Sequence, residues 1–229
     1  MNYGKKSVKQ KKKALQSTSS KLGRKCLLTF SKVLLLCVIA IGIIGICAGL
    51  GVFKGIIDSA PTITLEDATP TRYSSFIYDS KGNQMAKLIA EDSNRVPVTM
   101  DQIPTDLANA FVAIEDERFY QHNGIDIMGI LRAGVTAVKT GFKRQEGAST
   151  ITQQLIKNTV LTTWTQEKTL GERIKRKVQE QYLAIQLEKD TNDKSKILEQ
   201  YMNTINLGQN TLGVQAASKR YFNKNVWEL

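Results

Sequence analysis

The sequence predicts a mainly α-helical protein, with one transmembrane helix near its N-terminus and a small β-hairpin ahead of its helical body. Three observations predict this fold class. An uncharged apolar run occupies residues 33–53, a strand–turn–strand pattern occupies Ser75 to Ile89, and apolar residues after Thr105 recur at helical spacing. Short breaks containing Gly or Asn separate the helical segments, and the sequence contains no internal repeat.

The run from Val33 to Phe53 is long enough to cross a bilayer as a helix, because 21 residues at about 1.5 Å each approach the ~30 Å hydrocarbon thickness. A buried core helix and a cleaved signal peptide are the alternatives. The run exceeds the apolar region of a signal peptide, roughly 7–15 residues, and no clear small-residue cleavage site follows it. We therefore predict a membrane span.

The positive charge lies almost entirely before this span. The formal net charge is +11, and residues 1–32 hold ten Lys or Arg and no Asp or Glu. This distribution predicts a cytoplasmic basic tail near anionic headgroups, with residues 54–229 outside the cell. Nucleic acid is then not needed to explain the charge.

The outward part begins with a linker at 54–72, followed by the hairpin region at 73–100 and the helical domain at 101–229. Its only histidine is His122, and the three cysteines all precede residue 54. A disulfide framework, a cysteine-based metal site and a multi-histidine metal site are therefore excluded from it.

The first chemical motif, AIEDERFYQHNG at 113–124, ends a predicted helix with acidic residues. The apolar stripe of that helix is predicted at Leu107, Ala110, Phe111 and Ile114. Glu115, Asp116 and Glu117 follow at the helix C-terminus, where negative charge is unfavourable. Crowded carboxylates oppose each other's ionisation, which can make one of them a usable base near neutral pH. A solvated acidic corner is the alternative interpretation.

The second motif, GASTITQQLIKN at 147–158, opens like a helix N-terminus, whose free N–H groups bind anions. The amide and ammonium groups that follow suit a phosphate or a sugar. The candidate binding residues are Ser149, Thr150, Gln153, Gln154 and Lys157. A capped surface helix is the alternative.

The third motif, RIKRKVQEQYLAIQLE at 173–188, predicts an amphipathic helix. Its apolar face is predicted at Ile174, Val178, Tyr182 and Ile185. Arg176, Lys177 and Glu180 share a separate face with Arg173, an arrangement suited to phosphate. An exposed helix with surface salt bridges is the alternative. Two more motifs, KILEQYMNTINLG and GVQAASKRYFNK, are interpreted as scaffold, with Tyr201 in the core.

In this order, the five motifs resemble those of family 51 of the glycosyltransferases. These are the peptidoglycan transglycosylase domains of class A penicillin-binding proteins and the monofunctional transglycosylases. The matching run covers about residues 105–224, and the five motifs are specific only in combination. The resemblance implies a lysozyme-like fold and an anchored domain. It also predicts a domain incomplete at its C-terminal end, because the family continues with further helices.

The resemblance implies an inverting transfer that polymerises lipid II, the undecaprenyl-pyrophosphate disaccharide-peptide, with release of undecaprenyl pyrophosphate. Glu115 is then the general base, Asp116 supports it, and Glu180 is the second carboxylate. Lys157, Arg176 and Lys177 hold the pyrophosphate. The donor site is lined by Ser149, Thr150, Gln153 and Gln154.

The resemblance also suggests a divalent cation, Mg²⁺ or Mn²⁺, with Glu180 as candidate ligand, and no organic cofactor. The implied partners are lipid II, the growing glycan strand, the membrane and cell-wall synthesis or division proteins, but no nucleic acid. The implied location is the bacterial cell membrane, with a single span, a cytoplasmic N-terminus and an extracellular catalytic domain.

Two function hypotheses stay open at this point. The first is the glycan polymerase, and the second is a catalytically incompetent, membrane-anchored fragment that binds lipid II without turnover. A lytic muramidase is the nearest enzymatic alternative. The cations beside Glu180 argue against it, because a glycoside hydrolase needs a carboxylic acid that protonates a sugar oxygen.

Overall fold

The computed structural model describes residues 4–15, 18–90, 93–141 and 147–229. The predicted tail (1–32), hairpin region (73–100) and helical domain (101–229) each include a few residues outside this description. The chain divides into two compact units, Met1–Gly55 and Ile56–Leu229.

The N-terminal unit contains α1 (Lys5–Leu15) and most of α2 (Thr18–Asp58). The stretch Lys25–Asp58 of α2 is long and apolar enough to cross a membrane, and it includes the predicted span. None of its most apolar window is buried within the protein, in contrast to a core helix. The prediction of one N-terminal apolar helix is therefore confirmed.

The predicted hairpin is also present. Strands β1 (Ser75–Tyr78) and β2 (Gln84–Leu88) form an antiparallel two-stranded sheet, with an irregularity in register between Ile77 and Tyr78. The Asp79 carboxylate stabilises the turn by accepting the backbone N–H groups of Lys81 and Asn83, each at 2.8 Å. After the hairpin, buried Arg95 donates to the carbonyl oxygen of Asn203 at 2.7 Å and attaches this segment to the helical body.

In the described part of the chain, six α-helices follow: α3 (Thr105–Glu115), α4 (Ile127–Lys139), α5 (Ile151–Thr159), α6 (Leu170–Thr191), α7 (Lys194–Thr204) and α8 (Val214–Phe222). Several begin at a side chain that accepts a backbone N–H, which satisfies a donor that the helix leaves unpaired. Thr150 does this for α5, and Thr169 forms a capping box with Glu172 for α6.

The short helix α5 lies at the centre of the core, because it packs against both α6 and α7. Its residues Ile151, Leu155 and Ile156 are completely buried. The fully or almost fully buried side chains around it are Leu183, Leu187, Ile197, Leu198, Tyr201 and Met202. This packing brings the second, third and fourth motifs together, and it confirms the mainly helical fold class.

Two predicted helix faces are wrong in part. In α3 the buried residues are Ala108 and Val112, whereas Ile114 is 81% exposed at the rim of a cleft. Leu107 and Phe111 are partly buried, as the predicted stripe requires, but Ala110 is exposed.

In α6, Ile174 and Ile185 are exposed, although their spacing predicts an apolar face shared with Val178 and Tyr182. The residues that α6 buries are Gln179, Glu180, Leu183, Ala184, Leu187 and Glu188. Three of these six are polar. A count of apolar residues cannot detect a face whose carboxylates are neutralised by cations in the folded protein.

Candidate active site

The first motif ends α3 with two consecutive carboxylates in different surroundings. Glu115 is exposed, whereas Asp116 is buried. Each carboxylate oxygen of Asp116 lies 3.0 Å from Nε2 of His122, and Oδ2 also accepts the backbone N–H of Ile151 at 3.0 Å. Because Ile151 is the first residue of α5, Asp116 places negative charge at a helix N-terminus, where it is favourable. Asp116 therefore supports the motif, and Glu115 remains open to the cleft.

The cleft at Glu115 lies between the end of α3, the start of α4 and the residues before α5. Its lining includes Glu115, Arg118, Asp126, Arg132 and Ser149. Among the described residues, the Glu115 side chain accepts a hydrogen bond from Gln154, whose Nε2 lies 2.9 Å from Oε2 of Glu115. A carboxylate with one amide donor and an open side can accept a proton from a bound hydroxyl group.

An ion pair that was not predicted from the sequence borders the same cleft. Arg118 donates Nε and Nη2 to the two oxygens of Asp126, at 3.1 and 2.6 Å. The hydrogen bond from Arg118 lowers the pKa of Asp126, and the same bond raises the pKa of Arg118. Asp126 also accepts the backbone N–H of Gly129 at 2.9 Å, so the pair attaches the first motif to the start of α4. Sequence spacing gives no sign of it, because the partners lie in a loop.

The first residues of the second motif form hydrogen bonds with the loop that ends the first motif. Oγ1 of Thr150 and Nε2 of Gln153 both donate to the carbonyl oxygen of Gly124, at 2.9 and 3.0 Å. Both side chains are buried. Gly124 has φ +86°, and a Cβ there would lie 2.6 Å from the backbone carbon of Ala184 in α6. The loop that ends the first motif is therefore in close backbone contact with α6. Contacts of Thr150 and Gln153 with a substrate stay predictions.

The third motif forms a cationic cluster around Glu180, which is 1% exposed. Arg176 and Lys177 each form an ion pair with one of its oxygens. Nζ of Lys177 also donates to Oγ of Ser149 at 2.7 Å and to Oε1 of Gln153 at 3.1 Å. The predicted residues Ser149, Gln153, Lys177 and Glu180 are thus in contact, and they join α6 to the start of α5.

Arg176 is the part of this cluster that lines a second cleft. Its Nε donates to Oε1 of Glu167 at 2.7 Å, a partner that was not predicted from the sequence. Partial burial opposes its charge, but the hydrogen bonds to Glu167 and Glu180 outweigh this and raise the pKa of Arg176. The lining of this cleft also includes Lys175 and Gln179.

Lys157 has a different environment from the other two predicted pyrophosphate ligands. Its ammonium lies 4.6 Å from the ring centroid of Trp164, a cation–π distance. The described contacts of Lys157 do not include Glu180, the carboxylate that Arg176 and Lys177 share. A common role for the three cations therefore stays a prediction.

The donor set around Glu180 does not fit a divalent cation. Mg²⁺ and Mn²⁺ prefer several oxygen ligands, whereas both oxygens of Glu180 contact cationic nitrogens of Arg176 and Lys177. Among the described residues, no group of three or more His, Cys, Asp or Glu side chains is placed to hold a metal ion. Glu180 by itself is therefore not a metal site in this arrangement, and a Mg²⁺ or Mn²⁺ ion held mainly by substrate phosphates stays a prediction.

Residues 81–229 match the family model described as Transglycosylase. Penicillin-binding protein 1A of Clostridium botulinum is 47% identical over 182 residues, which cover 78% of this chain and 21% of that protein. Penicillin-binding protein 1A of Clostridium perfringens is 40% identical over 224 residues, 96% of this chain and 25% of that protein. The protein of the same name from Streptococcus oralis is 38% identical over 208 residues, 91% and 31% of the respective lengths. The chain thus spans between about a fifth and a third of these relatives.

Proposed function

Because the chain belongs to the transglycosylase family, glycosyltransferase family 51, we propose that it is a peptidoglycan glycosyltransferase that polymerises lipid II into glycan strands. The observation that carries this proposal is the exposed carboxylate of Glu115, which lines a cleft and accepts an amide N–H from Gln154. General-base catalysis needs such a carboxylate within reach of a substrate hydroxyl group.

In the proposed reaction, the C4 hydroxyl of one lipid II attacks the anomeric carbon at the reducing end of the growing strand. Glu115 takes the hydroxyl proton as the new carbon–oxygen bond forms. The bond from the anomeric carbon to the pyrophosphate oxygen breaks, and undecaprenyl pyrophosphate leaves with its electron pair. The anomeric configuration inverts because the hydroxyl attacks from the face opposite the leaving group.

Departure of a pyrophosphate requires cations rather than a general acid. Arg176 faces a cleft, and Lys177 lies beside Ser149, so both can contact phosphate oxygens when the substrate binds. Lys157 is proposed to add a third positive charge. Glu180 holds Arg176 and Lys177 in place, and no step of this mechanism involves a metal ion.

We further propose that α2 anchors the chain in the bacterial cell membrane as a single span. The ten Lys and Arg of residues 1–32 favour a cytoplasmic N-terminus, so the helical domain is extracellular, where lipid II is polymerised. Cell-wall synthesis and division proteins are the expected protein partners.

The test is polymerisation of fluorescent lipid II by the full chain in detergent, read as glycan polymer on a gel. Glu115→Gln keeps the size of the side chain but removes the base, so we expect the rate to fall by about 10²–10⁴-fold. Asp106→Asn, which changes an exposed acid in the first turn of α3, should leave the rate unchanged.

Polymer formation by Glu115→Gln at the rate of the unmodified protein would refute the role of Glu115. Binding of lipid II without polymer formation by the unmodified chain would instead support the binding-fragment hypothesis.

A further inference from the structure

Three side chains form a chain of hydrogen bonds that ends at Glu115. Nε2 of Gln154 donates to Oε2 of Glu115 at 2.9 Å, and the hydroxyl of Tyr201 donates to Oε1 of the same Gln154 at 3.3 Å. This chain of hydrogen bonds runs from α7 through α5 to the end of α3. Tyr201 belongs to the fourth motif, whose sequence indicates only a scaffold role.

The orientation of the Gln154 amide determines whether Glu115 faces a hydrogen-bond donor or an acceptor. An amide has an NH₂ end that donates and a carbonyl end that accepts. With the NH₂ end toward Glu115, the amide stabilises an ionised carboxylate, the form that accepts a proton. Rotation of the amide by half a turn would place its carbonyl oxygen against the carboxylate oxygens, and this would favour the protonated form.

The surroundings of Tyr201 suit it to select one of these orientations. Its side chain is 0% exposed, and its ring packs edge-on against Phe111 at a centroid distance of 6.2 Å. Burial, together with the negative charge of Glu115, raises the pKa of the Tyr201 phenol. The protonated phenol donates to the carbonyl oxygen of Gln154. Rotation of the amide would turn its NH₂ group toward Tyr201 and leave the buried O–H without this acceptor.

We propose that Tyr201 is a positioning residue, whose hydroxyl holds the Gln154 amide with its NH₂ group toward Glu115. The inference rests on the proposed function, because it assigns a purpose to the base identified there. Tyr201 does not touch the substrate and acts only through Gln154. The bond from Tyr201 also polarises the amide, which strengthens the bond that the amide donates to Glu115.

The test is the pH dependence of kcat/KM for polymerisation by the full chain with Tyr201→Phe. This change keeps the buried ring and removes only the hydroxyl. Loss of one hydrogen bond should move the acidic limb of the profile to higher pH by about 0.5–1 unit, a decrease of about 3–10-fold on that limb and less on the plateau. Tyr182→Phe is the matched control, because Tyr182 also packs against the core, on α6; it should leave the limb in place.

A double-mutant cycle asks whether the hydroxyl acts through the amide. In Gln154→Met the side chain can no longer link the two groups, so adding Tyr201→Phe should produce no further displacement of the limb. A Tyr201→Phe profile that is lowered uniformly, or a displacement that persists in the Gln154→Met background, would overturn the proposal.

A second measurement does not depend on turnover. The side-chain amide resonances of Gln154, assigned in ¹H–¹⁵N spectra by their loss in Gln154→Met, should move in Tyr201→Phe and stay in place in Tyr182→Phe. Unmoved resonances would overturn the positioning role. If the unmodified chain is inactive while these resonances move, the proposed function fails and the positioning role stands.

Discussion

Glu115 and Glu180 are the same residue type and belong to separate motifs of one domain, yet their surroundings are opposite. Glu115 is exposed in a cleft and, among the described residues, accepts a hydrogen bond from a neutral amide. Glu180 is 1% exposed and forms ion pairs with Arg176 and Lys177. The comparison separates two uses of a carboxylate. An accessible one can exchange a proton with a substrate, whereas an enclosed one keeps cations at a fixed place.

The largest expected difference between the two concerns stability. Glu180→Ala removes a buried carboxylate from Arg176, which keeps Glu167, and from Lys177, which keeps Ser149 and Gln153. Loss of two charge-assisted hydrogen bonds, at about 1.5–3 kcal/mol each, should lower the free energy of unfolding by about 3–5 kcal/mol. Glu115→Ala removes an exposed side chain and should change the free energy of unfolding by at most about 0.5 kcal/mol. Denaturant unfolding of the full chain in detergent, followed by tryptophan fluorescence, measures both. Equal losses would contradict the assignment of separate roles.

The close backbone contact between the loop of the first motif and α6 gives the next largest expected loss of stability. A Cβ at Gly124 would lie 2.6 Å from the backbone of Ala184, and its φ is +86°. Gly124→Ala therefore adds overpacking to a left-handed backbone strain, about 3 kcal/mol in total.

Gly141→Ala is the matched control for this substitution. Gly141 has φ +59°, but a Cβ added there would meet no described atom within 4 Å. Gly141→Ala should therefore lose only the contribution of the backbone strain, about 1–2 kcal/mol. Similar losses for the two variants in the same unfolding measurement would show that the loop and α6 are not in tight contact.

The smallest effect concerns the ion pair of Arg118 and Asp126 beside the open cleft. The hydrogen bond from Arg118 lowers the pKa of Asp126 below its ordinary value of 3.8. A lowered carboxyl pKa contributes stability that is complete above the unfolded value and is lost as the pH falls through the folded value. Asp126→Asn can still cap α4 but loses the ion pair with Arg118, so it should be less stable than the unmodified protein at neutral pH, by about 1 kcal/mol.

The difference in stability between Asp126→Asn and the unmodified protein should shrink as the pH falls below 3.8. Stability curves from pH 7 to pH 2 for both proteins check the prediction, with Asp106→Asn as an exposed acidic control. A difference that is independent of pH would mean that the charge of Asp126 does not contribute to stability.

Much of the fold could be predicted from local patterns. The apolar run from Val33 to Phe53 lies within α2, and the hairpin pattern at Ser75 to Ile89 contains both strands. The helix predicted to end at the acidic motif does end at Glu115. These features depend on residues close together in the chain, so composition and spacing are sufficient to find them.

The contacts of the site could not be predicted in this way. The bonds from Lys177 to Ser149 and from Tyr201 to Gln154 join residues 28 and 47 positions apart. Periodicity also predicts the buried face of α6 wrongly in part, because Glu180 faces inward only when Arg176 and Lys177 neutralise it. The resemblance of the motifs supplies candidate residues, but their burial and partners require the fold.

The most direct test of the separate roles measures lipid II affinity and polymerisation rate on the same sample of Glu115→Gln. We predict a dissociation constant within about twofold of the unmodified protein, because the cationic cluster is intact, and a rate lower by about 10²–10⁴-fold. A wild-type rate, or a loss of affinity as large as the loss of rate, would contradict these separate roles.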